Sequence, residues 1–153
     1  MGRTDRASLL IHVDRGRAFD ALTNRDAILD WLPPAGMRGR LEQFDMREGG
    51  SYRLVLTYED ASDAPGTTSA DSDVSTVRVV QIIPGERVVQ EIDFDSNNPA
   101  FAGTMRMEWN LHDDEEGTIV EVVARNAPPG VHACDHAAGL TSSLANLAAH
   151  LEP

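Results

Sequence analysis

Three reactive side chains alternate in the last quarter of the chain: His132, Cys134 and His136. In an extended segment all three would point to one side, an arrangement of imidazole and thiolate that suits zinc. In a helix only His132 and His136 would share a face. No fourth ligand is evident, a surface or capping role explains the residues more simply, and no metal site is expected. To act as a nucleophile Cys134 would need activation, to which a helix start could contribute. No orienting acid with a recognisable nucleophile motif accompanies it. His12 and His112 lie on or beside apolar runs, Glu91 and Asp93 alternate along one segment, and Arg106 and Glu108 along another. Each could serve as acid or base inside a pocket. As members of a solvated face paired across strands, the charged ones need no such role. The sequence has no phosphate-binding glycine loop, no dinucleotide glycine pattern and no serine elbow. No catalytic residue can therefore be assigned, and no cofactor is expected.

Apolar recognition is the better-supported chemistry. Tyr52, Leu54, Leu56 and Tyr58 alternate with Arg53, Val55 and Thr57. Met105, Met107, Trp109 and Leu111 alternate with Arg106, Glu108 and Asn110. Each set falls on one face of a strand. Methionine and aromatic side chains suit an adaptable apolar site, and plain core packing is the alternative.

These rows need elements to position them. Ser8–Val13 reads as a strand. Asp14 then caps a short helix carrying Phe19, Ala21 and Leu22. Asn24 caps a second, carrying Ile28, Leu29, Trp31 and Leu32, which Pro33 and Pro34 end. Strands are expected at Arg40–Met46, Ser51–Glu59, Ser75–Ile83, Arg87–Phe94, Thr104–His112 and Thr118–Ala124. Gly49–Gly50, Pro84–Gly85 and the acidic run Asp113–Gly117 supply turns. Asp60–Asp73 reads as a long loop or an extended hairpin, with mobility expected, and Asp95–Pro99 as a polar loop. After Pro128–Pro129–Gly130, Asp135 is placed as a helix cap. Leu140, Leu144, Leu147 and Leu151 then recur at helical spacing in one amphipathic helix of about 17 residues, roughly 25 Å long. The fold class expected is α+β: a curved antiparallel sheet wrapped around a long C-terminal helix, with two short helices after the first strand. Such a sheet need not close on its helix, and a cavity between them is a natural ligand site. Trp31, Tyr52, Leu54, Leu56, Tyr58, Met105, Met107, Trp109, Leu140 and Leu144 are the candidate ligand-binding residues.

Composition sets the outer bounds. The chain has 153 residues, 41% hydrophobic, with a net charge of −12 and a mean hydropathy of −0.30. That suits a single globular domain spanning 1–153. All thirteen basic residues are Arg, and five of them face seventeen acids within residues 51–153. Such an acidic chain disfavours nucleic-acid binding. No apolar run is long enough to span a bilayer, so no membrane insertion is expected. No signal peptide is visible, and the lone Cys134 excludes an internal disulfide, so a reducing, cytoplasmic setting is expected. Edge strands of such a sheet need protection, and a homodimer is compatible with that.

One set of motifs adds to this. Trp31-Leu32-Pro33-Pro34-Ala35-Gly36 is followed by Asp45-Met46-Arg47-Glu48-Gly49-Gly50. Ile83-Pro84-Gly85-Glu86-Arg87 comes later, and then Asp135-His136-Ala137-Ala138-Gly139. In this order and spacing the chain resembles the START-like (SRPBCC) superfamily over about residues 8 to 152, and within it the branch named after activators of the heat-shock chaperone ATPase. The resemblance implies the helix-grip fold and a hydrophobic pocket between sheet and C-terminal helix. It implies no fixed chemistry, since superfamily relatives include lipid carriers, hormone receptors and aromatase/cyclases. Ligand binding, a cyclase- or hydrolase-like enzyme, and a co-chaperone-like partner with a part in the stress response are the expectations it raises. The family commonly has Gly-Trp at the start of the last helix, where this chain has Gly139-Leu140. Loss of the indole would enlarge or reshape an inward-facing site.

Overall fold

In the computed structural model of the chain, residues 3–33, 36–58 and 72–152 are described. The elements run β1 (Arg3–Ile11), α1 (Arg15–Thr23), α2 (Arg25–Trp31), β2 (Met37–Glu42), β3 (Ser51–Tyr58), β4 (Ser72–Ile83), β5 (Arg87–Phe94), β6 (Thr104–Asp114), β7 (Gly117–Ala127) and α3 (Ala133–Leu151). The strands form one sheet in the order β1-β7-β6-β5-β4-β3-β2, and every neighbouring pair is antiparallel. The sheet curls into a half-barrel with α3 on its concave side. This is the α+β helix-grip architecture.

Local chemistry explains most boundaries. The Asp14 side chain accepts from the Arg17 amide at 2.8 Å, and Asn24 from the Ala27 amide at 3.0 Å. Each satisfies an otherwise orphaned helix N–H. At the β6–β7 hairpin Gly117 takes φ 155°, and a Cβ there would collide with the Ile11 carbonyl, so only glycine lets β1 pass. A Cβ at Gly50 would likewise strike the Asp45 carbonyl. The β4 ladder shifts register between Val79 and Gln81, leaving Val80 exposed at 42%. Such a bulge bends its strand and raises the local twist, which helps the sheet curl.

The structure corrects several expected boundaries. β1 begins at Arg3, not Ser8. Its polar first half hides the strand, because pairing with β7 rather than local apolar alternation defines it. β2 is Met37–Glu42 rather than Arg40–Met46, since Gln43 adopts φ 53° and leaves the extended region. Asp45 and Arg47 therefore pair, at 3.0 Å, in a loop and not on a strand. Pro99–Phe101 forms a single 3-10 turn within what reads as loop. The N-cap of α3 is His132, and Asp135 lies in the first turn, where a carboxylate complements the helix dipole instead of capping it. Of the long loop expected over Asp60–Asp73, Ser72 and Asp73 belong instead to β4, where they pair with β3; the rest of it, with its expected mobility, and the Pro34–Ala35 part of the first motif lie outside the described residues.

The solid core lies where α3 meets β1, α1 and α2, its closest packing partners. Leu144 and Leu147 of α3 are buried with Ile11, Ala18 and Val120. Two polar ties fix α3 beyond the end of α2. The Ser143 hydroxyl donates to the Leu32 carbonyl at 2.7 Å, and the Asn146 amide to the Pro33 carbonyl at 3.0 Å.

Candidate functional site

Because α3 packs closely on β1 and the short helices, it stands off from the middle of the sheet. Between α3 and the concave faces of β3 to β6 lies a pocket of about 950 Å³. Strand alternation decides what lines it. Tyr52, Leu54, Leu56 and Tyr58 of β3 face it, as do Met105, Met107 and Trp109 of β6. Trp31 closes one part from α2, and Leu140 faces in from α3. Of the ten residues singled out by the sequence, Leu144 alone is not part of the lining; one turn further along α3, it is 1% exposed within the core. The lining residues also sit in register. Tyr52 pairs with Val77, Val77 with Ile92, and Ile92 with Met105. Gln90 pairs with Met107, and Val88 with Trp109.

Trp31 and Trp109 meet edge to face, ring centroids 5.3 Å apart at 79°, the arrangement that aromatic quadrupoles favour. The Trp31 indole N–H donates to the Ala21 carbonyl at 2.8 Å, so the ring brings no unmet donor into the site.

Polar groups also reach the pocket, and sequence reasoning missed most of them. Gln90 is buried, and its Nε2 donates to the Tyr52 hydroxyl at 2.9 Å. Burial pushes the Tyr52 pKa up to about 12, against the opposing pull of that hydrogen bond. A glutamine between Val88 and Ile92 on the inward face of β5 was the available signal. Tyr58 also has a raised pKa, first from burial and then from the charges of Asp73 and Asp135. Asp73, Asp135 and His136 line the same pocket. The pocket thus combines a mainly apolar wall with a carboxylate- and imidazole-bearing part.

His132, at the N-cap of α3, also lines the pocket, whereas other reactive candidates are placed elsewhere. Cys134 is exposed. His12 meets the Glu116 carbonyl at 3.2 Å, at the surface. Among the described residues no three His, Cys, Asp or Glu side chains come together as a metal set. Glu108 lies on the convex face with Arg106, Arg125 and Arg87 at 3.0, 3.2 and 3.5 Å. Burial pushes its pKa up, but the hydrogen bonds from Arg125 and Arg106 outweigh this and hold it below the ordinary range. Arg78 and Asp93 pair at 2.6 Å.

The curled sheet, the gripping helix and the space between them define a START-like domain. The chain belongs to the family described as "Activator of Hsp90 ATPase homolog 1-like protein", whose model matches residues 12–152. Solved structures agree on the fold. Protein CV1439 from Chromobacterium violaceum superposes with a TM-score of 0.86 at 25% identity, covering 98% of this chain and 97% of that one. A protein from Rhodobacter sphaeroides superposes at 0.76 with 20% identity, over 98% and 93%. A protein from Arthrobacter aurescens superposes at 0.79 with 13% identity, over 98% and 87%. No curated protein matches the chain significantly.

Proposed function

We propose that the protein binds a small hydrophobic or amphipathic molecule between the sheet and α3. The observation that carries this reading is the pocket of about 950 Å³ faced by Trp31, Met105, Met107 and Trp109. A close-packed interior leaves few voids larger than a water molecule. Space of this size within reach of flexible methionines is what a drug-sized guest requires. Burying about 200 Å² of apolar ligand surface would contribute roughly 5 kcal/mol before the entropic costs of association. The test is native mass spectrometry of the protein as purified, followed by binding of an apolar probe such as 2-methylnaphthalene. A retained small molecule, or a probe affinity that falls about tenfold in Met107→Ala, supports the reading. A bare mass together with no probe binding contradicts it. The same spectrum reports the oligomeric state, for which the free sheet edges β1 and β2 are the surfaces of interest.

An enzymatic use of the same pocket, cyclase- or hydrolase-like, has one observation in its favour: an ionisable imidazole, that of His136, lies in the lining. Turnover of a carbonyl-bearing guest, abolished in His136→Leu, would establish it.

A further inference from the structure

This inference rests on the ligand-binding reading and concerns what the guest must carry. Asp5 on β1 is only 8% exposed. Arg3 grips it on two sides, Nε to Oδ1 at 2.9 Å and Nη2 to Oδ2 at 2.8 Å. Oδ2 also accepts from Arg3 Nε at 3.0 Å and meets Nδ1 of His136 at 2.7 Å. Burial pushes the Asp5 carboxyl up, but the hydrogen bonds from Arg3 and His136 outweigh it, and the group lies below the ordinary carboxylate range. A carboxylate only accepts hydrogen bonds, so Nδ1 of His136 must carry the proton. In the neutral tautomer that donates from Nδ1, Nε2 is a bare acceptor.

His136 lines the pocket and Asp5 does not. The imidazole therefore stands between the carboxylate and the pocket, and Nε2 lies across the ring from the atom that Asp5 holds. We propose that His136, oriented by Asp5, presents Nε2 to the pocket as the acceptor for a hydroxyl on an amphipathic guest. The guest class is a phenol or enol whose apolar body fills the rest of the pocket. The facing ionisable groups are Tyr52 and Tyr58 from β3, Asp73 from β4, and His132 and Asp135 at the N-cap and in the first turn of α3. The two carboxylates repel an anionic head group, which further favours a neutral hydroxyl over a carboxylic acid. Asp5 acts as a positioning residue and does not touch the guest.

The experiment compares 2-naphthol with its near-isostere 2-methylnaphthalene, in the unmutated protein and in His136→Leu. A hydroxyl buried without a partner is penalised, and one that finds an acceptor is not. We expect 2-naphthol to bind the unmutated protein at least as tightly as 2-methylnaphthalene. In His136→Leu we expect it to lose about tenfold in affinity, while 2-methylnaphthalene stays within about twofold and so certifies an intact fold. Because His136 also ties α3 to β1, a second measurement uses the unmutated protein. Long-range 1H–15N correlations should show a proton on Nδ1, with the Nε2 resonance moving on addition of 2-naphthol and not of 2-methylnaphthalene. A purely structural tie between β1 and α3 would leave that resonance in place. Equal losses of both probes, an unmoved Nε2, or a proton on Nε2 overturns the inference and leaves the pocket reading standing. Binding of neither probe to the unmutated protein overturns both.

Discussion

Burial of the Tyr52 phenol raises its pKa to about 12, and the sign of that shift fixes a behaviour in alkali. The folded state holds the neutral phenol more firmly than the unfolded chain does, whose ordinary value is 10.0. The resulting stabilisation is fully present below pH 10 and is lost as the pH climbs through the folded value. The chain has two tyrosines, so Tyr58→Phe leaves Tyr52 as the only phenol. Its ultraviolet titration should rise near pH 12, together with loss of the fold. A step near pH 10 in the folded protein contradicts the buried Tyr52–Gln90 pair. At this scale the sequence was legible in part. The parity of β3 and β6 was enough to identify the apolar rows. Gln90 carried its signal in its inward parity. The Asp5–His136 contact joins residues at opposite ends of the chain, and no local pattern announces a pairing made only when α3 docks on β1.

Within α3, two leucines one heptad apart have different surroundings. Leu147 is fully buried in the solid core, while Leu140 faces the pocket. Leu147→Ala leaves a cavity among packed neighbours and should cost about 2–5 kcal/mol, read from urea midpoints. Leu140→Ala enlarges a space that already exists and removes fewer contacts, so its cost should be clearly smaller. Equal costs would mean that the interior is as solid at Leu140 as at Leu147. Leu140→Trp tests the same position from the other side. The indole should occupy the pocket and weaken 2-methylnaphthalene binding about tenfold without lowering stability. Unchanged affinity would place the probe elsewhere. The element pattern followed the sequence where periodicity and punctuation agreed, as in β5, β6 and α3. It departed where tertiary pairing overrode local composition. β1 is a strand through Arg3 and Arg6 because β7 lies beside it, and β2 stops at Glu42 because Gln43 turns left-handed.

Across the whole molecule, the strand order places β1 and β2 at the two free edges. Both carry charge, Arg3, Asp5 and Arg6 on one and Arg38, Arg40 and Glu42 on the other, which discourages edge-to-edge pairing. The convex face sorts its charges into pairs and one Arg-ringed Glu108, so the polar half of each strand has a structural explanation. The concave face has none as complete. Its side chains surround space that α3 leaves unfilled, the space that the proposed guest would occupy. Methyl-labelled methionine offers the most direct check, because Met105 and Met107 face that space from neighbouring positions of β6. With 2-methylnaphthalene added, filtered NOE spectra should connect the ring protons of the probe to the methyl groups of Met105 and Met107. A bound probe with NOEs to neither methionine would show that the pocket between sheet and helix is not where this protein receives a ligand.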